Sequence, residues 1–271
     1  IRIDADTVLN QGELLASAGQ VQITSRDDIA NLGDAARIEA FTDVRLVAGN
    51  EIDNSANSHI QANNLLRLAA NRISNAGNLY GPAGPVTHIE ILAADRFDNS
   101  GSAVAGSSLN LNADQYSNTG TVGSFGDATL TLPGIWSAAA HPLIAKGNLW
   151  LDVQGIAVAV GESWVSDAAW VGWNGTLVNR GSVSLNTASG NIDNLASGSL
   201  RRAGAPPADG AFLLLDAPAW TDEAFNWQID GYDDVDLRAH VSIGQFNGSL
   251  TNLAADAAVG GAYVYAPSSL Q

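Results

Sequence analysis

Six times in the first half of this chain an asparagine returns with an aliphatic or aromatic residue two places before it. The asparagines are Asn10, Asn31, Asn54, Asn75, Asn99 and Asn118, and the residues two before them are Val8, Ile29, Ile52, Ile73, Phe97 and Tyr116. Glycine stands two places after five of the six, at Gly12, Gly33, Gly77, Gly101 and Gly120. The marker recurs at intervals of 21, 23, 21, 24 and 19 residues. A period near 20 means one structural unit laid down repeatedly, each unable to bury its apolar face alone.

Between the markers lie pairs of apolar residues two apart: Val21/Ile23, Val44/Leu46, Leu66/Leu68, Ile89/Ile91 and Leu109/Leu111. Residues two apart share one side of a strand, so Gln22, Arg45, Arg67 and Asn110 face the other way. Further short strands follow the Asn-x-Gly turns, as in Glu13–Ala16 and Arg37–Ala40. Strands this short, broken by Gly, Asn and Asp, suit a coil that bends about three times per repeat. The expected fold is therefore all-β, a right-handed parallel β-helix (β-solenoid). Its corner asparagines are expected to form a ladder of amides, and its corner glycines to supply positive φ. Asn-x-Gly is also a hairpin signal, but hairpin architectures place turns every 8–12 residues or so. Leucine-rich repeats share the period, yet no helical stripe fills the rest of the unit. The longest interval contains Tyr80-Gly81-Pro82-Ala83-Gly84-Pro85, read as a loop thrown out from a corner.

The composition limits the partners. With 12 basic and 28 acidic residues the net charge is −16, and Lys146 is the one lysine. Nucleic acid and anionic membrane surfaces require Lys and Arg, so neither is an expected partner. There is no cysteine, hence neither a disulfide framework nor a thiol nucleophile. No apolar run approaches the 18 or so residues of a membrane helix, and no membrane insertion is expected. The chain lacks methionine and opens on Ile1-Arg2-Ile3, which reads as part of an interrupted coil, so a segment of a longer protein is expected.

The character changes near residue 134. All seven tryptophans follow it, and the asparagine marker lapses after Asn118. Apolar pairs persist, as at Leu149/Leu151 and Val235/Leu237, so the solenoid is expected to continue with irregular coils and loop insertions. Residues 1–133 are read as regular stalk and 134–271 as a Trp-rich continuation and candidate receptor-binding region. Irregular coils and insertions carry recognition in repeat proteins, and tryptophan is enriched at binding hot spots. The candidate contact residues are Trp164, Trp170, Trp173, Trp220, Trp227 and Tyr232, with Asp233, Asp234 and Asp236 as polar contacts. The alternative is that the tryptophans fill a wider core. Trp150, between Leu149 and Leu151, is expected to face away from them.

Nothing in the sequence assembles a catalyst. Asp230–Asp236 is acid-rich but lacks the calcium-loop spacing, so no metal site is assigned. Asp233 and Asp234 are adjacent, and on a strand they point to opposite faces, unlike the paired carboxylates of a glycosidase. The four histidines have no metal-ligand spacing. A polysaccharide-active β-helix enzyme is the remote alternative, and no cofactor is implied.

The unit apolar-x-Asn-x-Gly, strand, apolar-x-apolar resembles haemagglutinin repeats, most closely at Val8–Leu14 and Ile73–Leu79. Such repeats occur in large exoproteins of Gram-negative bacteria exported by two-partner secretion: filamentous haemagglutinin adhesins and the CdiA effectors of contact-dependent growth inhibition. The resemblance covers the first half. It implies an extended, monomeric β-helix secreted to the bacterial cell surface by an outer-membrane secretion partner. It also implies that the order of regular stalk and irregular region matches effectors that bind an outer-membrane protein or surface glycan of another cell. A host-cell adhesin and a purely structural stalk remain as alternatives.

Overall fold

The computed structural model describes residues 1–80, 88–138 and 140–158. Beyond these it describes the strands Ser163–Ser166, Trp170–Asn179, Ser182–Asn186, Asn191–Asp193, Ser199–Arg201, Phe212–Trp220, Asn226–Asp230, Asp234–Ile243, Ser249–Asn252 and Gly261–Tyr265. Side chains are described at 1–80, 88–138, 140–153 and 156–157. The described elements are all strands, paired in parallel, and the chain is a parallel β-solenoid. Two compact units result: Ile1–Leu132 with His141–Ile144, and Pro133–Ala140 with Ala145–Gln271.

The first unit contains six complete coils. Coil 1 comprises Arg2–Ala5, Val8–Asn10 and Glu13–Ala16; coil 2, Val21–Ser25, Asp28–Asn31 and Arg37–Ala40; coil 3, Asp43–Ala48, Glu51–Asn54 and His59–Ala62. In coils 4 to 6 the first two strands fuse, giving Leu65–Asn75 with Asn78–Tyr80, His88–Asn99 with Ser102–Ala105, and Ser108–Asn118 with Thr121–Ser124. First and second strands belong to one sheet and third strands to another. At about 4.8 Å per coil the six rise about 29 Å.

Stacking like on like turns the sequence repeat into columns. Val21, Val44, Leu66, Ile89 and Leu109 stand in one register column and Ile23, Leu46, Leu68, Ile91 and Leu111 in the next, all essentially without solvent exposure. The third strands add Ile38, Ile60, Leu79, Ala103 and Val122. The second strands add Val8, Ile29, Ile52, Ile73, Phe97 and Tyr116, where the last two rings lie parallel, 6.0 Å apart at 9°. Gln22, Arg45, Arg67 and Asn110 occupy the outward column, as the alternation requires.

The corner glycines correct the expectation of positive φ. Of the five in the marker only Gly33 has it, at +131°. Gly77, Gly101 and Gly120 are required by closeness instead: a Cβ on Gly101 would collide with the Gly77 carbonyl oxygen, and one on Gly120 with that of Gly101. The residues before the third strands form one column of small side chains: Gly12, Ala36, Ser58, Gly77, Gly101 and Gly120. Gly33 lies outside it, within a longer turn that delivers Ala36 to the column. Coil 3 uses Ser58, which is buried and donates from Oγ to the Gly33 carbonyl at 3.0 Å. The turn ahead of it places Asn57 at φ 63°, a conformation asparagine tolerates. The proline- and glycine-rich segment 81–87 lies outside the described residues, but His88 resumes the coil in register with Leu65.

In the second unit the described strands also pair in parallel, Asn148–Val158 with Trp170–Asn179 and Phe212–Trp220 with Asp234–Ile243. Leu149, Leu151, Val153 and Ile156 are buried there, as is Trp136. Trp150 alternates with Leu149 and Leu151 and is half-buried.

Candidate recognition surface

The six marker asparagines stand in one column at the corner between second and third strands. Nδ2 of Asn10 donates to Oδ1 of Asn31 at 2.7 Å, Asn31 to Asn54 at 2.8 Å, Asn54 to Asn75 at 2.8 Å, Asn75 to Asn99 at 2.7 Å and Asn99 to Asn118 at 2.8 Å. All six are buried, and several use the second amide proton on a backbone carbonyl across the corner, as Asn31 does on His59 at 3.2 Å. Every amide points the same way along the axis. At the upper end Asn118 Nδ2 donates to the Pro142 carbonyl at 2.8 Å, and the Asn118 backbone N–H donates to His141 Nδ1 at 3.2 Å. The Tyr116 hydroxyl donates to the same Pro142 carbonyl at 3.0 Å. The segment His141–Ile144 thus takes the place above coil 6 where a further marker would stand. This column is a structural spine, closed to any ligand.

A second column, at the corner between first and second strands, is absent from the sequence-based expectations. It consists of Asp6, Asp27, Asn50, Asn71, Asp95 and Asp114, all exposed. Backbone N–H groups there bond coil to coil, Asp27 to the Asp6 carbonyl at 2.8 Å and Asn50 to that of Asp27 at 2.9 Å. The signal is nevertheless present in the sequence: each lies four places before its marker asparagine, extending the motif to Asx-x-apolar-x-Asn. Short polar side chains that bond neighbouring backbone suit such a turn.

Most arginines of the first unit's outer faces are paired with a nearby carboxylate. Arg45 meets Asp43 at 3.3 Å and Arg96 meets Asp98 at 2.6 Å on their own strands; Arg67 meets Glu90 at 3.3 Å across coils. These pairs are partly exposed and add little stability. Burial pushes the Asp53 carboxyl above its ordinary range. Among the described residues no group of three or more His, Asp or Glu side chains is placed to hold a metal ion.

Of the predicted contact residues, the backbone places seven. Trp164 is the register partner of Val183, Trp170 of Asn148, Trp173 of Leu151, and Trp220 of both Ile192 and Ile243. Trp227 pairs with Leu250, Asp234 with Phe212 and Gly261, and Asp236 with Leu214 and Tyr263. Tyr232 and Asp233 lie outside the described residues. The seven are spread over several successive strands. Comparison with protein-family models, curated proteins and solved structures yields no match to this chain.

Proposed function

We propose that this chain is a segment of a large secreted exoprotein of the bacterial cell surface, in which residues 1–133 act as a stiff stalk and 134–271 present a surface to an outer-membrane receptor on neighbouring bacteria, as in contact-dependent growth inhibition. The observation that carries this reading is the unbroken amide column from Asn10 to Asn118. It ties each coil to the next through buried side chains, which suits a spacer that holds a contact surface away from its anchor. The full-length protein would reach the surface through an outer-membrane secretion partner.

The test is capture of the tagged chain on outer-membrane vesicles from a panel of Gram-negative bacteria. Binding by at least one strain, lost when Trp164 and Trp227 are changed to alanine in a chain that still folds, supports the reading. Absence of binding to every strain, with the fold intact, sinks it.

A second reading, that the whole segment is stalk, draws on one observation: Trp164, Trp173, Trp220 and Trp227 all share register positions with aliphatic residues. Acrylamide quenching separates the two, since a core-filling set of rings is protected and a contact surface is not. A host-cell adhesin would instead be captured on host-cell membranes in a parallel assay. A polysaccharide-active enzyme would show turnover on acidic polysaccharides.

A further inference from the structure

Every Phe and Tyr ring of the first unit that is outside its core lies on one face, Phe41 and Phe125 at its border and Tyr80 one outward position inside it. Phe97 and Tyr116 are buried. Phe41, 60% exposed, follows the third strand of coil 2; Tyr80, half-buried, ends that of coil 4; Phe125, 71% exposed, follows that of coil 6. The three recur every second coil, about 10 Å apart along the axis. His59 helps to hold the middle ring: the two rings meet edge to face at 5.8 Å, and the Tyr80 hydroxyl lies 3.4 Å from His59 Nδ1.

Two further observations single out this face. From coil 3 upward the alternate positions of this face carry no formal charge, running His59, Asn78, Ser102 and Thr121 in one column and the buried Gln61, then Tyr80, Val104 and Gly123, in the other, on a chain of net charge −16. Length variation is also greatest at its two borders. The corner before the third strand has two residues in coil 1 but five in coil 2 and four in coil 3. The corner after it ranges from two residues to the seven between Tyr80 and His88. The opposite corner varies by a single residue, the register leaving two there in coils 1, 2, 3 and 5 and one in coils 4 and 6. Insertions gather on the binding face of repeat proteins.

We infer that the third-strand face of the first unit binds a neutral polysaccharide running along the solenoid axis, its sugar rings seated on Phe41, Tyr80 and Phe125. Two linked sugar rings span about two coils, so ring platforms at every second coil meet a recurring unit of the polymer. The amides and hydroxyls between them match its hydroxyl groups, and the aromatic faces match its apolar C–H faces. A polyanion is disfavoured by the net charge and by the one nearby arginine, Arg37, being engaged with Glu39 and Glu13. This surface is independent of the tryptophan region and stands or falls apart from it.

The experiment is affinity electrophoresis of the whole chain in gels containing galactomannan, mixed-linkage β-glucan or dextran, with polygalacturonate as a charged control. At least one neutral polymer is expected to retard the chain. The Phe41→Ala/Phe125→Ala double variant, whose rings are exposed and whose fold is checked by circular dichroism, is expected to bind at least about tenfold more weakly. Tyr80→Ala is expected to weaken binding and Tyr80→Trp to preserve it, while Leu9→Ala, an exposed residue on a second strand, leaves it unchanged. The proposal is overturned if no neutral polymer retards the chain, if only polygalacturonate does, or if the double variant binds as well as the parent. Capture of an envelope protein that depends on Phe41 and Phe125, without retardation by any neutral polymer, would also overturn it and give the face to a protein.

Discussion

Asn31 donates its side-chain amide to Asn54 Oδ1 at 2.8 Å, 23 residues away in sequence and one coil away in space, and neither side chain is more than 1% exposed. The pair shows what the column does: each amide satisfies a buried neighbour that water cannot reach. Asn54→Ala leaves the Asn31 amide short of its coil-to-coil acceptor and Asn75 Oδ1 without its donor. A loss of about 2 kcal/mol or more is expected in urea unfolding. Asn63→Ala, which removes an exposed bond to the Phe41 carbonyl, is expected to cost less than about 0.5 kcal/mol. Equal losses would remove the special standing of the buried column.

Glycine at the stacked corner answers a distance rather than a dihedral. Gly101→Ala brings a methyl group against the Gly77 carbonyl oxygen, and overpacking against backbone is expected to cost about 3 kcal/mol. At Gly12, in the first coil, a Cβ would meet nothing within 4 Å, so Gly12→Ala is expected to stay within about 0.5 kcal/mol of the parent. Paired urea midpoints check the contrast.

Tyr116 couples the upper end of the first unit to alkaline pH. Burial pushes its phenol well above the ordinary value of 10.0, with a bond to Asn118 opposing weakly. The unfolded chain then loses this proton near pH 10 while the folded chain keeps it, so stability falls as pH rises past that point. Tyr116→Phe removes the dependence. It is expected to cost about 1 kcal/mol at pH 7 for the lost bond to Pro142, whose carbonyl still accepts from Asn118, and to close the gap with the parent above pH 10. Parallel unfolding curves across that range would contradict the assignment.

Asp53 works in the opposite region of pH. Its raised value means the folded chain holds the proton to higher pH than the unfolded chain does. Its contribution is therefore fully favourable below the ordinary value of 3.8 and is lost as pH rises through the folded value. Asp53→Asn is expected to raise the urea midpoint slightly at pH 7 and to leave it unchanged at pH 3. A midpoint lowered at pH 7 would reverse the sign.

The solenoid was legible because its columns are written as columns: Val21/Ile23 and Leu66/Leu68 fall at matching phases of the repeat, and so do the six asparagines. The corner chemistry was harder to read. Gly33 sits at the glycine position of the motif yet belongs to a longer turn, and Ala36 and Ser58 do the work of glycine without resembling it. What links them is the volume allowed beneath the next coil, which spacing alone does not reveal. The Asx column from Asp6 to Asp114 is harder to read because Asp stands at four of its positions and Asn at two, so neither type marks every coil. The aromatic row formed by Phe41, Tyr80 and Phe125 has no local signature at all, since its members lie 39 and 45 residues apart.

By itself, then, the sequence determined that like segments stack on like, because a strand with one apolar face and a period near 20 buries that face only against its own repetition. The tertiary structure decided the rest. It selected which small residues meet backbone across a corner, fixed the direction of the amide column, and set the rings of alternate coils along one face. These depend on the accumulated register of paired strands, a property that exists only once the coils are laid on one another.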